Sequence, residues 1–189
     1  YLSRAETEVF RLHREAICAL FPKSNYQLAE LGAGDGTKTL ILLKEALKQG
    51  HQFRYHPIDI SGNALELIAA NLKSQLPDLN LETLEAEYFE ALDQLTKREQ
   101  APLILLFLGS NIGNFRRDNV DIFISKLSES LRQGDRLLIG VDLKKQPKRI
   151  LDAYNDSRGV TASFNFNILR RINRELGGNF QLEKFQHYN

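Results

Sequence analysis

Four short stretches of this 189-residue chain end an apolar run in glycine, carboxylate or amide residues, which are groups that bind small polar ligands. They are AELGAGDGTKT at residues 29–39, HPIDIS at 56–61, AEYF at 86–89 and FLGSNIGN at 107–114. If each run is a strand of one open parallel sheet, all four endings lie at its carboxyl edge, where such sheets bind ligands. The pattern predicts one cleft along that edge.

The first stretch places Gly32, Gly34 and Gly36 at alternate positions before a helix, with Glu30 ahead of them. Glycine lets the backbone approach a ligand closely, and the helix N-terminus offers free N–H groups. A dinucleotide-binding turn of the form G-x-G-x-x-G would need glycine where the chain has Thr37, which disfavours a nicotinamide dehydrogenase. A tight strand-to-helix turn without a ligand is the other alternative.

Asp59 ends the second stretch, and Glu87 and Tyr88 end the third. The Asp59 carboxylate can accept both hydroxyls of a ribose, Glu87 can accept the exocyclic amine of an adenine, and Tyr88 can flank the ring. The structural alternative is that Asp59 or Ser61 caps a helix and that Glu87 lies at a solvated helix start. The same location on successive strands favours a role in binding.

The elements that would position these groups alternate between strand and helix. A first helix begins with a capping box of Ser3 and Glu6 and ends before Pro22. The predicted strands cover residues 27–31, 53–60, 81–86, 103–108 and 136–142, and the predicted helices cover 38–48, 63–76, 89–97, 119–131, 150–154 and 166–176. Because parallel strands need long crossovers, this order predicts an α/β fold, a doubly wound, mainly parallel sheet with helices on both faces. The last strand reads as buried on both faces.

The length and the 42% hydrophobic content predict one domain over residues 1–189. It would comprise an N-terminal helix at 1–22, a Rossmann-like core at 23–143 and a helical substrate-side region at 144–189. A net charge of +1 gives no field that attracts nucleic acid or an anionic membrane, so we expect a small-molecule partner. No apolar run approaches the roughly 20 residues that span a bilayer, which predicts a cytoplasmic protein.

Metal binding is not predicted. Cys18 is the one cysteine, and its apolar neighbours indicate a position in a helix core. The four histidines are scattered, with no pair at the i,i+4 spacing of a helical metal site.

Segments in order along the whole chain resemble the histidine-specific methyltransferase family, typified by the L-histidine Nα-methyltransferase of ergothioneine biosynthesis. The form E-x-G-x-G-x-G resembles the first motif of S-adenosylmethionine-dependent methyltransferases in general, whereas FLGSNIGN and AYNDSRGVTASFN are uncommon outside this family. The other matching segments are YLSRAETE, HPIDIS, GVDLKKQP and INRELGGNF. The resemblance implies a class I methyltransferase fold, S-adenosylmethionine as cofactor and methylation of an amino acid's α-amino group.

The resemblance also implies residue roles on the cofactor side. Lys38 and Asp59 match positions that hold the cofactor, together with the glycine turn at Gly32 and Gly34. Glu87-Tyr88 stands where the family usually has Asp-Phe against the adenine, so that the charge and the ring are kept while a methylene and a hydroxyl are added.

On the substrate side, Gly109 and Asn114 match positions that meet the amino acid, with Asn114 hydrogen-bonded to its α-amine. Tyr154 matches a tyrosine that contacts the substrate carboxylate, and Tyr1 belongs to a tyrosine-rich segment of the same pocket. No residue is assigned as an acid or base, because aiming a neutral amine at the methyl group is the main requirement.

The resemblance favours L-histidine as acceptor and leaves alternatives. A family member could methylate another amino acid, such as a tryptophan derivative, or the chain could be a cofactor-binding fragment without turnover. Family members begin before the tyrosine-rich segment and continue past position 189 with strands that close the sheet, so we expect those last strands to be absent here. Nucleic-acid modification is disfavoured, because the fourth strand end lacks an Asn/Asp-Pro-Pro-aromatic turn.

Overall fold

A computed structural model of the protein describes residues 2–98 and 100–188. Strands and helices alternate as the sequence predicts. The strands are β1 (Tyr26–Leu31), β2 (Phe53–Asp59), β3 (Leu84–Glu85), β4 (Leu103–Phe107) and β5 (Arg136–Ile139). The helices are α1 (Leu2–Cys18), α2 (Thr39–Lys48), α3 (Gly62–Gln75), α4 (Tyr88–Arg98), α5 (Arg117–Ser130), α6 (Pro147–Tyr154) and α7 (Val160–Glu175).

The strands form one five-stranded sheet in the order β3-β2-β1-β4-β5, and every pair is parallel. Glu30 of β1 lies opposite Pro57 of β2 on one side and Leu106 of β4 on the other. The strand order reverses at β1, so the crevice outside the carboxyl ends of β1 and β4 is the expected ligand position. The predicted α/β fold with a parallel sheet is confirmed.

Helices cover both faces of the sheet because successive strand residues point to opposite sides. Leu28 and Leu106 face a core formed with α1, α2 and α3, whereas Ala29 and Leu105 face a second core formed with α4 and α5. Cys18 is buried in the first of these cores, as predicted. The sheet is therefore doubly wound.

The chain groups into two compact units, the first ending at Asp142 and the second beginning at Leu143. The first unit contains the whole sheet with α1 to α5, and the second contains α6, α7 and a short 3-10 helix at Leu182–Lys184. The division falls within one residue of the predicted boundary between 23–143 and 144–189. One domain over the full length stays a prediction.

Three local predictions are wrong. α1 begins at Leu2, so Ser3 lies inside the helix and forms no capping box with Glu6. α7 begins at Val160 rather than Phe166, because the Asp156 carboxylate accepts the N–H groups of Val160 and Thr161 at 2.9 and 2.8 Å. β5 is not buried on both faces, because it forms an edge of the described sheet.

Candidate functional site

The glycine-rich turn connects the buried strand β1 to α2 at the carboxyl edge. Gly32, Gly34 and Gly36 all have positive φ, between 60 and 70°. Gly36 is buried, and a Cβ placed on it would lie 2.7 Å from Cγ1 of Ile68, whereas a Cβ on Gly34 would have no neighbour within 4 Å. Gly36 is thus required for packing on α3, and Gly34 presents bare backbone to the space above the sheet.

Glu30 lies beneath this turn and is buried in the sheet. One oxygen of its carboxyl group accepts hydrogen bonds from the Thr39 hydroxyl and the Tyr55 hydroxyl, both at 2.6 Å. Burial raises the pKa of Glu30 from 4.5 to about 7, although both hydrogen bonds act in the opposite direction. The group joins the start of α2 to β1 and β2 and so holds the glycine turn in place.

This raised pKa predicts a pH-dependent stability. In the unfolded chain Glu30 loses its proton near pH 4.5, but in the folded protein it keeps the proton until about pH 7. The free energy of unfolding should therefore fall between these pH values, by on the order of 3 kcal/mol from this group. Urea unfolding of the wild type and of Glu30→Gln at pH 5 and pH 8 measures the difference. A wild-type-minus-variant difference that is the same at both pH values would contradict the prediction.

Asp59, Glu87 and Tyr88 come together beside the turn. With Ile60 they line a cleft of about 200 Å³. Asp59 accepts the N–H of Ser61 at 3.0 Å, and the Ser61 hydroxyl caps α3 by accepting the N–H of Ala64. The capping role that the sequence left open thus belongs to Ser61, and Asp59 faces the cleft.

Tyr88 forms the inner wall of this cleft. Its ring packs edge-to-face on Phe107 of β4, with centroids 6.0 Å apart, and a Cβ on Gly32 would lie 3.0 Å from its hydroxyl oxygen. Burial raises the pKa of Tyr88, and the charges of Asp59 and Glu87 raise it further, so the phenol stays neutral. A neutral hydroxyl can donate or accept a hydrogen bond at the meeting point of β1 and β4.

The end of β4 turns sharply into a 3-10 helix at Asn111–Asn114. Gly109 has a φ of 76° and Ser110, which is not a glycine, has a φ of 53°. This left-handed serine costs about 1 kcal/mol. It is stabilised by the residues that follow β5, because the Ser110 N–H donates to the carbonyl oxygen of Gly140 and its hydroxyl accepts the Asp142 N–H.

Asn111 is a candidate site residue that the sequence did not predict. Its carboxamide nitrogen would lie 3.4 Å from a Cβ on Gly32 and 3.7 Å from one on Gly109, so the amide sits between the ends of β1 and β4. The predicted Asn114 lies at the far end of the same short helix and is exposed to solvent. Both asparagines belong to FLGSNIGN, and their order along the 3-10 helix decides which one faces the glycine turn.

Glu6 of α1 is the second residue that was missed. Its carboxylate accepts hydrogen bonds from the Lys38 ammonium and from the backbone N–H of Gly109, the latter at 2.7 Å. A Cβ on Gly109 would lie 3.6 Å from the Lys38 nitrogen. The structure therefore brings Lys38 of the cofactor prediction next to Gly109 of the substrate prediction.

Two predicted substrate residues lie outside the described part of the first unit. Tyr154 ends α6 in the second unit and is 55% exposed, and its carbonyl oxygen accepts a hydrogen bond from His187 of the same unit. Tyr1 lies outside the described residues. Their roles stay predictions.

Within residues 2–98 and 100–188, no three histidine, cysteine, aspartate or glutamate residues form a group that could hold a metal ion. None of the helices in these ranges is both long and apolar enough to cross a membrane.

Comparison with known proteins indicates the family of this chain. The sequence model of the family of histidine-specific, S-adenosylmethionine-dependent methyltransferases matches residues 1–189. A histidine N-alpha-methyltransferase of Mycolicibacterium smegmatis is 34% identical over 188 residues, which are 99% of this chain and 57% of that protein. An L-tryptophan methyltransferase of Psilocybe serbica is 27% identical over 213 residues and covers 100% of this chain and 58% of that protein. The chain thus spans little more than half the length of these relatives.

The fold has a counterpart among solved structures. A crystal structure of an S-adenosylmethionine-dependent methyltransferase from Clostridium acetobutylicum superposes with a TM-score of 0.51 over 78% of this chain and 54% of that one, at 12% identity. That similarity concerns the fold alone, whereas the family match covers every motif of the cleft. This chain belongs to the histidine-specific, S-adenosylmethionine-dependent methyltransferase family.

Proposed function

We propose that the protein carrying this chain transfers a methyl group from S-adenosylmethionine to the α-amino group of a free amino acid, with L-histidine as the acceptor. The observation that carries the proposal is the junction of β1 and β4. There the Asp59–Tyr88 cleft and the Gly109–Asn114 turn lie on either side of the glycine turn. A methyl donor and an acceptor placed on these two sides would meet above Gly32.

The residues at this edge fit the cofactor. Asp59 offers a carboxylate for the ribose hydroxyls, Glu87 an acceptor for the adenine amine and Tyr88 a ring that flanks the base. Gly34 offers open backbone, and the Lys38 ammonium is suited to the carboxylate of the amino-acid portion. When bound, S-adenosylmethionine supplies an electrophilic methyl group on a sulfonium.

The protein's own task is to present a neutral amine about 3 Å from that methyl group and in line with the bond that breaks. An asparagine amide suits this task, because its oxygen accepts an amine N–H without adding a negative charge that would favour the ammonium form. Asn114, from the family resemblance, and Asn111, from its position, are the two candidates. Histidine is favoured as acceptor by the name of the 34% identical relative.

The acceptor test uses the full-length protein, S-adenosylmethionine and a panel of free amino acids, with the products identified by mass spectrometry. L-Histidine should be methylated fastest, and Nα-acetyl-L-histidine should not be methylated because its α-nitrogen is no longer basic. Methylation of the acetylated compound would place the reaction on the imidazole and contradict the proposal. Preference for L-tryptophan would overturn L-histidine as the acceptor and keep methylation of the α-amino group; the Psilocybe relative is named an L-tryptophan methyltransferase.

Asn114→Ala should separate acceptor binding from cofactor binding. Losing one hydrogen bond to the amine should raise the KM for the amino acid by roughly 10-fold. The affinity for S-adenosylhomocysteine, measured by calorimetry, should stay unchanged. Asn119→Ala, an exposed asparagine in α5, is the matched control and should resemble the wild type. Equal losses of both ligands in Asn114→Ala would rule out the assignment.

A further inference from the structure

We propose that Glu6 is a positioning residue for methyl transfer, which holds the cofactor lysine Lys38 and the acceptor-side peptide of Gly109 in one arrangement. The inference rests on the proposed function for its kinetic consequence. Its structural basis is independent of the acceptor, because it consists of the contacts of a single carboxylate.

The two oxygens of Glu6 have different partners. Oε2 pairs with the Lys38 ammonium, and Oε1 accepts the Gly109 N–H at 2.7 Å. The side chains of Lys38 and Glu6 are only 22% and 12% exposed, so water and salt screen this pair less than a surface pair. Hydrogen bonds to a charged acceptor are also stronger than those between neutral groups.

The surroundings are shaped to admit this carboxylate. A Cβ on Gly140 would overlap Oε1 of Glu6 and would lie 3.4 Å from Cα of Leu108. A residue with a side chain at position 140 would therefore push the Glu6 carboxylate away from Gly109. The ends of β4 and β5 thus leave room for a group that comes from α1.

Attachment of α1 to the sheet does not explain these contacts. Phe10 and Cys18 of α1 are already buried in the first core, and Arg14 pairs with Glu45 of α2 at 3.2 Å. What Glu6 does hold is the Lys38 ammonium and the peptide that begins the Gly109–Asn114 turn.

This position matters because transfer depends on alignment. Pairing with Glu6 already restricts the rotamers of Lys38, so Lys38 loses less conformational freedom when it binds a ligand. The hydrogen bond from the Gly109 N–H to Glu6 fixes the start of the Gly109–Asn114 turn. In enzymes a misplacement of about 1 Å can lower the rate by roughly 100-fold. Glu6→Gln keeps the size and one acceptor oxygen but removes the charge.

The first test needs no acceptor and uses the full-length protein. Calorimetry gives the affinity for S-adenosylhomocysteine in the wild type, Glu6→Gln, Lys38→Met and the double variant. We expect losses of roughly 5-fold for Glu6→Gln and 20-fold for Lys38→Met, with the double variant no weaker than Lys38→Met, since residues that act through each other are not additive. Losses that multiply in the double variant would overturn the inference.

The second test is kinetic. Glu6→Gln should lower kcat by roughly 10- to 100-fold per folded molecule, a larger change than its effect on cofactor affinity. Glu8→Gln, the same charge change at an exposed position of α1, should stay within about 2-fold of the wild type. An unchanged kcat in Glu6→Gln would show that the contacts are only structural. If the wild type methylates no amino acid, the proposed function fails. The calorimetric comparison of the single and double variants still decides whether Glu6 acts on ligand binding through Lys38.

Discussion

Asp59→Ala is expected to weaken the binding of S-adenosylhomocysteine by roughly 100-fold or more. The variant would lose the two hydrogen bonds that the ribose hydroxyls are proposed to donate to the Asp59 carboxylate, each worth about 1.5–3 kcal/mol. Asp59 ends β2 and faces a cleft with Glu87 and Tyr88. Calorimetry on the full-length protein measures the change. The KM for the amino-acid acceptor, at saturating S-adenosylmethionine, should change little.

Two controls make this expectation specific. Asp59 also accepts the Ser61 N–H, but Ser61 still caps α3 in the variant, so thermal unfolding should show only a small loss. Glu66→Ala removes an exposed carboxylate from α3, the helix that follows Asp59, and should bind the ligand like the wild type. An affinity loss as large in Glu66→Ala would mean that overall charge, and not a contact of Asp59, governs binding.

Gly36→Ala is expected to lower the free energy of unfolding by about 3 kcal/mol. A left-handed alanine costs about 1–2 kcal/mol, and overpacking of a well-packed core costs about 1–3 kcal/mol. Both penalties apply, since Gly36 has a φ of 70° and its Cβ would lie 2.7 and 2.9 Å from two carbons of Ile68. Chemical denaturation followed by circular dichroism gives the value.

Gly34→Ala is the matched comparison. Its φ of 60° carries the same backbone strain, but its Cβ meets nothing within 4 Å, so a loss of about 1 kcal/mol is expected. The added methyl group should instead obstruct the approach of a ligand to the backbone and weaken S-adenosylhomocysteine binding. If Gly34→Ala proved the less stable variant, the division of the turn into a packing glycine and a ligand-facing glycine would be wrong.

The order of strands and helices could be predicted because it depends on local pattern. Continuous apolar runs such as residues 103–108 mark strands buried on both faces, and the residue types that follow each run mark its carboxyl end. The start of α7 could not be predicted from periodicity, since it depends on the Asp156 carboxylate accepting two backbone N–H groups. β5 has the apolar sequence of a buried strand, but its residues are exposed or half-buried. The burial of a strand depends on which other elements pack beside it, and the apolar pattern does not specify them.

The position of the cleft could be predicted from the same apolar runs and the residues that end them. Once the sheet is parallel, the carboxyl ends of β1, β2 and β4 must share an edge, and Asp59, Tyr88 and Gly109 lie there. The family resemblance added Lys38 and Asn114, which neither spacing nor composition would have selected. Tyr154 and Tyr1 stay predictions from that resemblance.

The sequence by itself determined the fold class and the sheet edge that is expected to bind ligands, because strand periodicity and turn composition are local properties of the chain. The family followed from the resemblance of its motifs, not from periodicity. The tertiary structure alone decided that Glu6, 103 positions before Gly109, joins that residue to Lys38. From the sequence, Glu6 was expected to form a capping box at the start of α1. Only the packing of α1 against the sheet brings its carboxylate to Lys38 and Gly109 instead. The tertiary structure likewise decided that Asn111, and not Asn114, lies beside Gly32. The turn after β4 is held by the residues that follow β5, and this sets which amide faces the glycine turn.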